Sequence, residues 1–127
     1  MIHLCPKFYF RLKLTPLIFL LFFQFSLGQN TAIDSLNNLL SNETIVTQKF
    51  PLLEQIVTIA SNTDLKKALV YARQAVKLAN NNQSQNWQPK FNEMKGRIHA
   101  NLLELDSASY HFDRALNEYM GIEDKKG

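Results

Sequence analysis

Residues 64–80, Asp-Leu-Lys-Lys-Ala-Leu-Val-Tyr-Ala-Arg-Gln-Ala-Val-Lys-Leu-Ala-Asn, decide the fold expected of this chain. Leu65, Ala68, Leu69, Ala72, Ala75, Val76 and Ala79 recur at spacings of three and four, which places them on one face of an α-helix. Forty residues further on, the span from Glu104 to Met120 repeats the pattern with Leu105, Ala108, Ser109, Phe112, Ala115, Leu116 and Tyr119. Only Ser109 breaks the apolar face. Two copies of one helix at a fixed offset predict a stack of repeats, each burying its face against a neighbour.

Outward from that helix, the rest of the chain reads in the same way. Ile33, Leu36, Leu39 and Leu40 make a short amphipathic helix over Thr31–Leu40, closed by a turn at Ser41-Asn42-Glu43. A second helix is expected between about Thr44 and Ala60, with Leu52, Leu53, Ile56, Val57, Ile59 and Ala60 inward. Pro51 sets its start. A proline inside a helix removes a hydrogen bond and crowds the preceding turn, so the helix is expected to begin near Phe50 or to kink there. Ser61-Asn62-Thr63 closes it and offers caps for the helix of residues 64–80. Seven polar residues, Asn80 to Asn86, then form a loop. A helix from Trp87 to Leu103 follows, with Pro89 in its first turn and Trp87, Phe91, Met94, Ile98 and Leu102 along one side. Gly96 costs roughly 1 kcal/mol against alanine at an interior helical position, which predicts close approach of a neighbouring helix. The last helix is expected to end near Gly121, leaving a polar tail. No strand pattern competes, and the fold class expected is all-α.

Composition bounds the function. The chain has 127 residues, room for one small domain. Its first 28 residues have the three parts of an export signal: Lys7, Arg11 and Lys13 with no acidic residue before Asp34, an apolar block from Pro16 to Leu27, and a small-residue site at Ser26-Leu27-Gly28. A spanning helix needs roughly 20 apolar residues. The shorter block, interrupted by Gln24, therefore predicts cleavage after Gly28 and an exported protein, periplasmic or extracellular. A retained anchor is the alternative.

The formal charge of +3 comes from 14 basic and 11 acidic side chains. Three of the basic residues fall within the signal and none of the acidic ones does, so the remainder is neutral. Neutrality gives no support to nucleic-acid or membrane-surface binding. The one cysteine, Cys5, also lies in the signal. Beyond it there is no disulfide, thiolate or cysteine metal ligand. Residues 29–43 are then a mature N-terminus with its short helix, and 44–127 the repeats, at about 44–82 and 87–121.

Gly96, followed by Ala108, Phe112 and Ala115, resembles the tetratricopeptide repeat (TPR) of exported bacterial proteins. Ala68, Ala72 and Ala75 supply the earlier copy, with Ile56 in place of the glycine. The tail Asp124-Lys-Lys-Gly127 is similar to junctions between successive repeats in such proteins. The resemblance implies antiparallel helix-turn-helix repeats stacked as a short TPR-like α-solenoid. It also implies that first helices line a groove that binds a peptide or protein.

Candidate chemistry is sparse. His99 and His111 are twelve apart with no metal-binding spacing around them, and read as seam or surface residues. Asp106, Ser107, Ser109 and His111 are residue types of a hydrolytic triad, but they share one helix, whereas triad members converge from different directions. Trp87, Phe91, Tyr110, Phe112 and Tyr119 read as core at helical spacing. One polar stripe stands out: Lys90, Glu93, Arg97 and Asn101, at steps of three, four and four. By the resemblance it faces a partner; the competing reading is a solvated face with a Glu93–Arg97 pair.

The function expected is a non-catalytic interaction scaffold with no cofactor and no metal, whose core is completed by self-association or further repeats. The alternative is the exported sensory region of a membrane-bound signalling protein, a histidine kinase or cyclase, of which this is the N-terminal part.

Overall fold

A computed structural model describes residues 28–127. The expected signal, apart from Gly28, lies outside the described residues. The chain divides into residues 1–32 and 33–127. In the first unit residues 28–32 are helical, with the Thr31 hydroxyl donating to the Gly28 carbonyl at 2.8 Å. The second unit opens with helical residues 33–42 (α1), followed by α2 (Val46–Ser61), α3 (Leu65–Asn81), α4 (Trp87–Asn101) and α5 (Leu105–Lys126). No strand occurs among the described residues. The fold is all-helical, and none of the described helices is long and apolar enough to cross a membrane.

Short turns bring each helix back against the one before it: α2 packs on α3, α3 on α4, and α4 on α5, with a lighter contact between α2 and α4. The core lies where α2, α3 and α4 meet. Phe50, Leu53, Ile56, Val57 and Ala60 of α2 face Ala68, Ala72, Ala75, Val76 and Ala79 of α3, with Phe91 and Ile98 of α4 closing it. The alanines of α3 let bulkier neighbours approach on both sides. Ile33 of α1 is fully buried, and the Asn37 amide donates to the Tyr71 hydroxyl on α3 at 2.7 Å.

Four expected boundaries are corrected. Helix α2 begins at Val46, so Pro51 lies well inside it. Pro51 and Thr47, four residues earlier, are both exposed, so the carbonyl that loses its hydrogen bond faces water. The extra turn is held by the buried Phe50 and half-buried Val46. Helix α3 is capped by Asp64 rather than by the preceding Ser-Asn-Thr: its carboxylate accepts from the Lys66 and Lys67 amides at 3.0 and 3.1 Å. Helix α4 stops at Asn101, before Leu102. Helix α5 runs through Gly121 to Lys126. One glycine does not halt a helix, and Lys125 and Lys126 suit the negative end of its dipole.

Helices α3 and α4 end in the same way. Gln83 and Leu103 take left-handed φ values of 50° and 61°. Behind them the Ser84 amide donates to the Ala79 carbonyl at 3.0 Å, and the Glu104 amide to that of His99 at 2.9 Å. This is the Schellman closure, which ordinarily uses glycine at the left-handed position. Leu103 is 83% exposed and gains little packing there. Because left-handed backbone costs an L-residue about 1 kcal/mol, Leu103→Gly is expected to raise stability by about 0.5–1 kcal/mol. The readout is a higher urea midpoint with an unchanged slope.

A further correction concerns α5. Ala108, His111 and Ala115 are buried, but Leu105, Phe112, Leu116 and Tyr119, expected on its inner face, are exposed. Tyr110 is also exposed, so three of the five aromatics expected in the core lie outside it. Trp87 and Phe91 do belong to it. The cause is positional. Helix α3 has a neighbour on each side, whereas α5 touches α4 alone among α2–α5.

Candidate functional site

The polar stripe of α4 runs between α2 and α5 and is tied to both. The Lys90 ammonium reaches Glu54 of α2 at 2.6 Å and lies 4.9 Å from the centre of the Trp87 ring. Glu93 pairs with Arg97 one turn on, and the Tyr119 hydroxyl of α5 donates to its other carboxylate oxygen at 3.4 Å. Burial raises the Tyr119 hydroxyl's pKa, and the nearby Glu93 carboxylate raises it further. At the far end, Arg97 and Asn101 join Thr58 and Ser61 of α2, and Asn62 just beyond its end, around a groove with Met94 and Ile98 in its wall.

All four stripe residues are thus on one surface, with two partners from neighbouring helices: Glu54, which the sequence pattern did not single out, and Tyr119, which it placed in the core. The first half of the stripe is engaged with neighbouring helices, and the exposed half is Arg97, which pairs only within α4, and Asn101. Such a surface offers a cation, amides and hydroxyls to a polar chain laid along α4.

Beneath it, α4 and α5 bury polar groups. His99 and His111 stack with centroids 5.3 Å apart and planes 7° from parallel, and are 6% and 9% exposed. Glu104 lies 2.5 Å from His99 Nδ1. Asn92 is fully buried and donates to both Glu118 oxygens, at 3.2 and 2.9 Å, while Arg114 Nε donates to Glu118 Oε1 at 3.1 Å. These pairs share one register: the histidines lie six residues either side of Leu105, and Asn92 and Glu118 thirteen. An antiparallel hairpin imposes that symmetry, and folding the sequence about Leu105 would have revealed both pairs.

The histidine pair is part of the helix seam. No group of three or more His, Cys, Asp or Glu side chains that could hold a metal ion occurs among the described residues. His111 Nδ1 and Asn92 Oδ1 are buried without a hydrogen-bond partner. Burial pushes the pKa of His111 down to about 4, helped by Lys95, His99 and Arg114. Lys95 itself is lowered, first by burial, then by Arg73 and Arg114.

A consequence follows for stability. His111 is neutral in the fold below the pH at which the unfolded chain protonates it, near 6.5. Its contribution is therefore complete above about pH 6.5 and is lost as pH falls toward 4. With allowance for solvent screening, unfolding free energy is expected to fall by about 1–2 kcal/mol between pH 7 and pH 5 through this group. Urea titrations at the two pH values check it: His111→Gln should show a shallower decline than the unaltered chain.

No protein-family model, no curated protein and no solved structure matches this chain.

Proposed function

We propose that the chain is an exported, non-catalytic scaffold for protein–protein contact, built as a short TPR-like stack. Three features support the stack: the forty-residue recurrence of α3 in α5, the packing of each helix on the one before, and the closeness of Gly96 to Phe112. The observation that carries the binding reading is the α4 stripe. Its Lys90 and Glu93 are braced by α2 and α5, while Arg97, exposed and paired with Glu93, and Asn101 line a groove of mostly polar residues with Met94 and Ile98 in its wall. A braced rail with exposed polar groups suits an extended peptide or a partner helix, whose main chain and acidic side chains would meet the guanidinium and amide.

The test is affinity capture from the protein's own compartment with the unaltered chain and with Arg97→Glu. Loss of a partner in the variant, with helix content unchanged, is the expected result. Equal recovery of every partner would remove the stripe as the binding surface.

A further inference from the structure

A cleft of about 700 Å³ opens where α1, α2 and α3 meet, and it shares no residue with the α4 stripe. The core fixes its walls: Leu40 and Leu53 are buried, and Asn37 of α1 is tied to Tyr71 of α3. Two cations line it, Lys49 from α2 and Lys77 from α3, and no acidic side chain does. Elsewhere the molecule pairs such cations with glutamates: Lys90 with Glu54, Arg97 with Glu93, and Arg114 with Glu118. Lys49 and Lys77 have no ion-pair partner among the described residues. Beyond residue 28 the acidic and basic side chains balance. Two ammonium groups in one cleft without a carboxylate are therefore a local positive excess, which an anion would neutralise.

The rest of the lining narrows the kind of anion. The carboxamides of Asn38, Gln74 and Asn81 have no partner among the described residues, and each both donates and accepts, as sugar hydroxyls do. Asn37 donates to the Tyr71 hydroxyl at 2.7 Å, which holds its carboxamide in place and leaves its oxygen to accept. Leu40, Leu53 and Leu78 add an apolar strip for the C–H face of a ring. Two ligand classes fit badly. A free amino acid or a polyamine brings a cation, which both lysines repel and no carboxylate meets. A nucleobase finds no aromatic side chain in the lining to stack on. The volume lies within the roughly 300–1,000 Å³ of small-ligand sites. We propose that the cleft binds a sugar of one or two rings that carries an anionic group, a phosphate or a carboxylate. Lys49 and Lys77 take the anion, and the amides take the hydroxyls. The compact ammonium of lysine, with three rotatable donors, suits either oxyanion.

The experiment is isothermal titration calorimetry at low salt, on the processed form that accumulates when the whole 127-residue chain is expressed. The probes are glucose-6-phosphate and digalacturonate, with glucose and inorganic phosphate as controls. A dissociation constant on the order of 0.1–1 mM is expected for at least one of the two anionic sugars, and the one that binds tells phosphate from carboxylate. Glucose and inorganic phosphate should each bind at least about 10-fold more weakly. Lys49→Gln and Lys77→Gln should each weaken binding about 5-fold or more. Lys66→Gln, at an exposed position of α3 outside the cleft, should leave it unchanged, with equal helix content by circular dichroism in all three variants. No binding of either anionic sugar, or binding indifferent to both cleft lysines, overturns the proposal. Inorganic phosphate bound as tightly as glucose-6-phosphate makes the cleft a simple anion site and overturns the sugar assignment; glucose bound as tightly overturns the role of charge. Arg97→Glu should bind the sugar as the unaltered chain does, and failure of the cleft would leave the scaffold reading standing.

Discussion

Phe91→Ala is expected to lower the free energy of unfolding by about 3–5 kcal/mol, the largest loss from any single truncation proposed for this chain. Phe91 is fully buried, and its ring joins two others. It stacks on Trp87 at 5.3 Å and tilts against Phe50 at 6.1 Å, while Phe50 and Trp87 stack at 5.5 Å. Phe50 belongs to α2 and the other two to α4, so the cluster is the main apolar tie across a lighter helix contact. Removing the central ring creates a cavity and ends two aromatic contacts, each worth about 0.5–1.5 kcal/mol. Urea midpoints compare the two proteins. A loss below about 1 kcal/mol would show that α3, not the rings, holds α2 to α4. Trp87→Ala should cost less, because Trp87 is only partly buried.

Gly96→Val is expected to cost about 2 kcal/mol, in spite of valine's better helix propensity. A Cβ at position 96 would stand 2.9 Å from both Cδ1 and Cε1 of Phe112, and 3.2 Å from its Cγ. The atoms concerned include the base of the ring, so a small rotation does not relieve the clash. Either the ring swings out from between the helices or α5 moves away from α4. The cause can be isolated by repeating the change in a Phe112→Ala background, where the cost should fall by more than about 1 kcal/mol. Equal costs in both backgrounds would mean that Phe112 does not set the need for glycine.

The close contact at Gly96 was legible in the sequence because an interior glycine has a known penalty that only packing offsets. The α3 face was legible for a similar reason. Its seam residues are alanine, leucine and valine at helical spacing, and all of them are buried or half-buried. Pro51 misled because the sequence does not say which side of α2 it occupies. On the solvent side its missing hydrogen bond costs little, and Phe50 keeps the turn helical. Gly121 misled because glycine stops a helix only when it can turn left-handed, and here it does not. The residues that do turn left-handed, Gln83 and Leu103, carry no compositional sign. The four stripe residues were found by periodicity, but Glu54 and Tyr119 come from neighbouring helices, and periodicity along one helix cannot reach them. The open face of α5 was misjudged on the same ground. Apolar spacing tells which residues seek cover, not whether a neighbour is present.

Among α2–α5, contacts run almost wholly between helices adjacent in the chain, and this bears on how the protein opens and closes. Few contacts must wait for distant segments to find one another, so loop closure adds little to the folding barrier and folding belongs to the fast, low-contact-order regime. The same topology makes the molecule unzip rather than burst. Because α5 is held by α4 alone among α2–α5, it can detach from them while the Phe50–Trp87–Phe91 cluster and the alanine seam of α3 stay intact. Its amides then exchange with solvent through a partial opening that costs less than global unfolding.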